Sequence, residues 1–154
     1  MLFIRRADEA DAAACSNILS SSIRELCGAD HNGNKEIIAK WIANKTPENV
    51  ARLIANPRIA FFIVVRDGAA AGIGAISEDG EVLLNYVAPV HRFSGVSRAM
   101  LSHMEAALRA LGVDKATLSS TETAHRFYRD AGWLDEGEPD VMFGVKGHPM
   151  VKEL

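Results

Sequence analysis

Val87–Met100, VAPVHRFSGVSRAM, joins two segments of opposite pattern. Before and into it, Val82–Val87 is apolar at nearly every position, as in a strand covered on both faces. After it, Val96, Met100, Met104, Leu108 and Leu111 recur at the spacing of one helical face, and Gly112 follows them. The junction itself is polar and bare: Arg92, Ser94, Gly95, Ser97 and Arg98. A helix starting near Gly95 leaves its first backbone N–H groups without intrahelical partners, with about half a positive charge behind them. Gly95 admits close approach of a bulky ligand, Ser94 and Ser97 offer hydroxyls, and Arg92 and Arg98 supply charge suited to phosphate. On these residues alone a solvent-exposed loop with a serine cap is an equal alternative. Neither G-x-x-x-x-G-K-[ST] nor G-x-G-x-x-G occurs here, so two common nucleotide-binding loops are excluded.

Upstream of the junction, IAFFIVVR, AAAGIGAIS and EVLLNYVAP read as three strands, joined by Asp-Gly turns at Asp67–Gly68 and Asp79–Gly80. They predict an antiparallel meander. Downstream, KATLSS predicts a short strand, and strand–helix–strand in that order implies a right-handed crossover and a parallel pair. Ser120 or Thr121 is expected to cap a last helix carrying Ala124, Phe127, Tyr128 and Ala131 and ending at Gly132. The N-terminal part reads as a strand at Leu2–Arg6 and a helix after the Asp8 cap. A loop at Gly28–Gly33 follows, then a short helix from Asn34 to Trp41 and another opened by Thr46 and Pro47. The tail from Trp133 predicts one or two edge strands around a Gly- and Pro-containing loop.

The chain has 154 residues, 48% of them hydrophobic and 24% charged, a globular composition for which one domain over 1–154 is the natural expectation. No apolar run is long enough to cross a bilayer. MLFIRRADEAD offers too short an apolar stretch for a signal peptide, so a cytoplasmic location is expected. A formal charge of −3, from 17 basic and 20 acidic residues, disfavours a general nucleic-acid-binding surface. Cys15 and Cys27 lack metal-ligand spacing and are expected to be small buried hydrophobes. The five histidines match no ligand motif, so no metal is expected.

RFSGVS resembles the R/Q-x-x-G-x-G/A pyrophosphate loop of the GNAT superfamily of N-acetyltransferases, with Arg92 at its first position and Gly95 at its glycine. Ser97 replaces the usual Gly or Ala. LNYVAPVHR is similar to the family's fourth strand with its YVxPxxR ending, and TETAHRFYRDAGW to its NxxAxxFYxxxGF segment, with Thr121 where Asn is common. MVKEL resembles the last strand, and KWIANKTPENVARLI the paired second helix of small members. The resemblance spans nearly the whole chain. It implies a mixed α/β fold, an acyl-CoA N-acyltransferase fold with a mostly antiparallel sheet of six to seven strands. Helices flank that sheet, and its parallel strands four and five splay apart to admit acetyl-CoA. It further implies that Tyr86, Val87 and Ala88 flank the pantetheine and that Arg92, Phe93, Ser94, Gly95, Val96, Ser97 and Arg98 surround the pyrophosphate. Thr121 and Phe127 would complete the coenzyme site.

The implied reaction carries an acetyl group from acetyl-CoA to an amine of a small molecule, protein or peptide. Tyr128 is the resemblance's candidate acid for the departing thiolate; as a plain core aromatic it would serve packing alone. A lysine-like amine with a pKa near 10.4 must lose a proton, at a cost of about 4 to 5 kcal/mol at pH 7. Glu81, with Glu25 and Asp79 behind it, is the candidate base, and a solvated surface carboxylate is its plainer reading. His91 and His125 flank the expected site. A catalytically silent acyl-CoA sensor on the same fold is the alternative, and the oligomeric state, a homodimer among the options, is open.

Overall fold

The computed structural model describes all 154 residues, Met1–Leu154. β1 (Leu2–Arg6) pairs antiparallel with β2 (Ile59–Arg66), β2 with β3 (Ala69–Ser77), and β3 with β4 (Glu81–Val87), the expected meander. β4 runs parallel to β5 (Lys115–Ser120), which pairs antiparallel with β8 (Val145–Glu153). β6 (Leu134–Asp135) and β7 (Asp140–Met142) also pair with β8. The mixed, mostly antiparallel sheet thus has eight strands, one beyond the expected range, because the tail contributes three. Gly147 and Pro149 lie inside β8; Pro149 is in register with Ser119 of β5, whose hydroxyl occupies the space a side chain at Gly147 would need.

Alternation along β2 assigns its two faces to two helical layers. Phe61 and Ile63 join Cys15, Ile18 and Leu19 of α1 (Ala12–Leu26) and Val50 of α4 (Pro47–Ala55). Phe62 and Val64 join Val96, Met100, Met104 and Leu108 of α5 (Val96–Ala110) on the other face. Both cysteines are free and buried. No helix is long and apolar enough to cross a membrane.

The Gly28–Gly33 segment departs from the expected loop. Gly28–His31 forms a helical turn, α2, pinned by a buried imidazole. His31 Nδ1 accepts the Gly33 N–H (3.0 Å), so Nε2 donates to the Ile23 carbonyl (2.8 Å), and the ring meets Trp41 edge-on. Trp41, on α3 (Lys35–Ile42), packs with Ile23, Cys27 and Val145 in a separate small core. Leu111, assigned by periodicity to the buried face of α5, instead caps that helix and turns to solvent.

Two glycines determine how closely α5 lies on the sheet. A Cβ at Gly72 of β3 would fall 2.7 Å from Val96 Cγ1 and 3.0 Å from the Tyr86 carbonyl oxygen. One at Gly74 would fall 2.6 Å from Met100 Sδ. The bare lane of β3 is therefore filled by the first two turns of α5, and the start of that helix is drawn down beside the end of β4. Its far half is tied by Glu105, which is buried. Trp133 Nε1 donates to one Glu105 oxygen (3.2 Å) and Lys152 Nζ to the other (2.8 Å). Lys152 also donates to the Ala131 carbonyl (2.7 Å) at the end of α6 (His125–Asp130). One carboxylate thus joins α5, α6 and β8.

Glu105→Ala strands the Trp133 N–H and the half-buried Lys152 ammonium, and should lower unfolding free energy by about 3 kcal/mol in urea melts. Gly72→Ala should cost about 1 to 3 kcal/mol in the same assay, because the branched Val96 and a backbone carbonyl must both give way. At Gly74 the obstructing atoms belong to flexible methionines, so Gly74→Ala should cost less than Gly72→Ala.

Candidate functional site

β4 and β5 stay paired only at their beginnings. Glu81 is in register with Thr117 and Val82 with Leu118, and no later residue of β4 has a partner there. The parting coincides with a bulge. Against β3 the register passes from Ala75↔Leu84 to Ile76↔Val82, leaving Leu83 as the extra residue and bending the strand. Past the fork, Ala88 donates its N–H to the Ala71 carbonyl (2.8 Å). Alternation of an antiparallel ladder then turns the N–H and C=O of Val87 and Asn85 away from β3, toward the side β5 has left. A cavity of about 420 Å³ opens in this fork.

One wall of the cavity is the start of α5. Gly95 stands at its N-cap with φ 81°, a left-handed conformation natural to glycine, and no side chain caps the helix. The first bond of the helix runs from Ala99 N to Gly95 O (3.0 Å), so the N–H groups of Val96, Ser97 and Arg98 have no intrahelical partner. A Cβ at Gly95 would meet nothing within 4 Å. The Ser94 hydroxyl, expected to face a ligand, donates to the His91 carbonyl and shapes the loop instead. Phe93 also takes a left-handed backbone (φ 58°) and is 97% exposed, with the Arg92 guanidinium 5.4 Å from its ring centre. Arg66, overlooked in the sequence, donates to the Ser94 carbonyl (3.1 Å) and adds a third cation beside Arg92 and Arg98. Its strand position gave no cue to this.

The opposite wall comes from α6 and the turn before it. Thr121 Oγ1 accepts the Ala124 N–H (3.1 Å), the expected capping role, whereas the Ser120 hydroxyl donates to the Thr121 carbonyl. A second cap arrives from far along the chain. Asp30 of α2 accepts the N–H of Glu122 (2.7 Å) and both the N–H (3.1 Å) and hydroxyl (2.5 Å) of Thr123. No sequence spacing signals a cap 92 residues away.

Tyr128 is buried between Phe127 and Trp133, each edge-on to its ring, yet it still lines the cavity. Burial pushes its phenol up to about 12, opposed by the neighbouring Asn85 amide. Asn85 is a second residue that sequence reasoning passed over, hidden inside an apolar strand. Its Nδ2 also donates to the Ser97 carbonyl (3.4 Å), while its Oδ1 is buried without any partner. An orphaned buried acceptor costs about 1 to 3 kcal/mol, so a ligand N–H delivered here would be favoured. Cys27 also borders the cavity, but burial raises its thiol to about 12 and leaves it protonated and inert.

Most expected site residues therefore meet in one place: Tyr86 and Val87 from β4, Arg92 to Arg98 apart from Ser94, and Thr121, Phe127 and Tyr128. Three do not line the cavity. Ala88 is bound to β3, Ser94 is turned into its own loop, and Glu81 begins β4, five residues or about 16 Å of strand from Tyr86. His91 lines the cavity; His125 does not.

The family model for the acetyltransferase (GNAT) domain matches residues 28–154. No curated protein matches the chain in sequence. Among solved structures, a GCN5-related N-acetyltransferase from Rhodopseudomonas palustris superposes with a TM-score of 0.89 at 20% identity, over 99% of this chain and 95% of that one. The PaiA N-acetyltransferase from Thermoplasma acidophilum, in complex with coenzyme A, gives 0.78 at 20% identity over 100% and 99%. YncA from Salmonella typhimurium, solved with acetyl-CoA, gives 0.70 at 20% identity over 99% and 94%. At such identities these likenesses bear on the fold alone. With the family model covering most of its length, the chain belongs to the GNAT acetyltransferase family.

Proposed function

We propose that the protein transfers an acetyl group from acetyl-CoA to an amine of a small molecule, or of a protein or peptide. The observation that carries this reading is the uncapped start of α5 in the fork between β4 and β5. The residues present suit coenzyme A. Open space above Gly95, three unpartnered N–H groups and the cations Arg66, Arg92 and Arg98 match a diphosphate. The free edge of β4 at Val87 and the orphaned Asn85 Oδ1 match the amide groups of a pantetheine arm. When bound, the coenzyme supplies an activated acyl thioester.

Three tasks then fall to this chain. The Val87 N–H, pointing into the gap, stabilises negative charge developing on the thioester oxygen. Tyr128, protonated throughout the physiological range, donates a hydrogen bond to the departing sulfur. A phenol near 12 facing an alkyl thiol near 8.5 makes complete proton transfer uphill by about 5 kcal/mol, unless desolvation raises the thiolate as it has raised the phenol. Tyr128 therefore acts chiefly by hydrogen bonding, with transfer completed only as charge builds on a sulfur shielded from water. The third task, removing the amine's proton, has no carboxylate on the cavity wall; Glu81 lies outside that wall at the start of β4. The amine arrives neutral, or yields its proton to water or to His91.

Tyr128→Phe should leave coenzyme affinity intact and lower turnover at least tenfold, about 1.4 kcal/mol, in an assay of thiol release with a panel of amines. Unchanged turnover would remove Tyr128 from the mechanism. Gly95→Glu should weaken acetyl-CoA binding well beyond Gly95→Ala in calorimetric titrations, since both carry the backbone strain and only one opposes the phosphates. Equal affinities in the two variants would remove the phosphates from this loop.

A further inference from the structure

Glu122, His125 and His148 converge outside the cavity, from the turn after β5, the first residue of α6 and the middle of β8. One ligand atom of each lies within 4.8 Å of the other two. His148 Nε2 is 2.9 Å from Glu122 Oε2. The two imidazoles stack with centres 4.1 Å apart and planes 9° from parallel, and their side chains are only 17% and 14% exposed. His125 Nε2 is 2.5 Å from Asp135 Oδ1, and Asp135 is itself gripped by Arg129 through Nη2 (2.6 Å) and Nε (3.2 Å).

Two imidazoles with one carboxylate form a donor set suited to zinc and neighbouring divalent metals. A carboxylate on the second ring nitrogen is the usual outer partner of a ligating histidine, and Asp135 occupies that role for His125. With Nε2–H committed to Asp135, His125 keeps the lone pair of Nδ1 for a ligand. Glu122 is held through its backbone by Asp30, so its carboxylate swings from a fixed base. Tetrahedral zinc with bonds of about 2.0–2.1 Å holds its ligand atoms about 3.4 Å apart. The 4.8 Å span closes by rotation of the half-exposed Glu122 and tilting of the two rings out of their stack.

We propose that Glu122, His125 and His148 bind a divalent transition-metal cation of the zinc class, with Asp135 orienting His125 and water completing the coordination. The metal would replace the Glu122–His148 hydrogen bond and clamp β8 to the turn that starts α6, the helix carrying Tyr128. The site is separate from the coenzyme cavity, so its fate and that of the transferase reading are independent.

Chelator-treated protein titrated with cobalt(II) chloride should develop the visible absorption of a cation held by nitrogen and oxygen, abolished by added zinc chloride. Zinc at about a hundredfold excess over its Kd should raise Tm by about 5 to 10 °C. His125→Gln and His148→Gln should lose both signals while melting, metal-free, near the wild type. Asp135→Asn should weaken binding about tenfold or more. Absence of the absorption and of the Tm rise in wild type would overturn the site. So would the same signals persisting in both histidine variants, which would put the metal elsewhere.

Discussion

The contact between α5 and the side-chain-free lane of β3 sets the position of everything else. Gly72 and Gly74 let Val96 and Met100 settle against the strand itself, so the beginning of the helix lies beside the end of β4, beyond the point where that strand has left β5. A helix resting on ordinary side chains would sit further out, and its unpaired N–H groups would face solvent instead of the fork. Buried Glu105 fixes the other end of the same helix. The two halves of α5 thus do different work: the far half stabilises, while the near half is left unsatisfied where a ligand can complete it.

Burial also decides which groups around the fork are chemically active. It raises both the Cys27 thiol and the Tyr128 phenol to about 12, yet the consequences are opposite. A thiol that keeps its proton has lost its nucleophilicity, which leaves no covalent role for Cys27. A phenol that keeps its proton remains a hydrogen-bond donor. Asn85 contributes to both sides of this balance, with an amide that tempers the rise at Tyr128 and a carbonyl left without a donor.

The meander, the crossover to α5 and the polar junction were legible because each rests on local pattern: Asp-Gly turns, apolar periodicity and a glycine where the helix begins. The family resemblance added the splay of β4 from β5, and the register, with only two residue pairs joined, bears that out. What could not be read depends on partners distant in sequence. Asp30 caps a turn 92 residues away, His31 folds an apparent loop onto Trp41, and Arg66 reaches Ser94 from a neighbouring strand. Glu81 is the opposite case. It belongs to the right strand, but strand geometry carries it away from the cavity, and composition offers no measure of that distance. Ser94 shows the same limit at short range, since a hydroxyl in the right loop can be spent on the loop itself.

The central claim is that backbone N–H groups at the start of α5 hold a diphosphate. A crystal structure with acetyl-CoA tests it most directly. The account predicts diphosphate oxygens within hydrogen-bonding distance of the Ser97 and Arg98 amide nitrogens, with the thioester between Val87 and Tyr128. A diphosphate bound away from this helix start, with those amides still facing water, would contradict it.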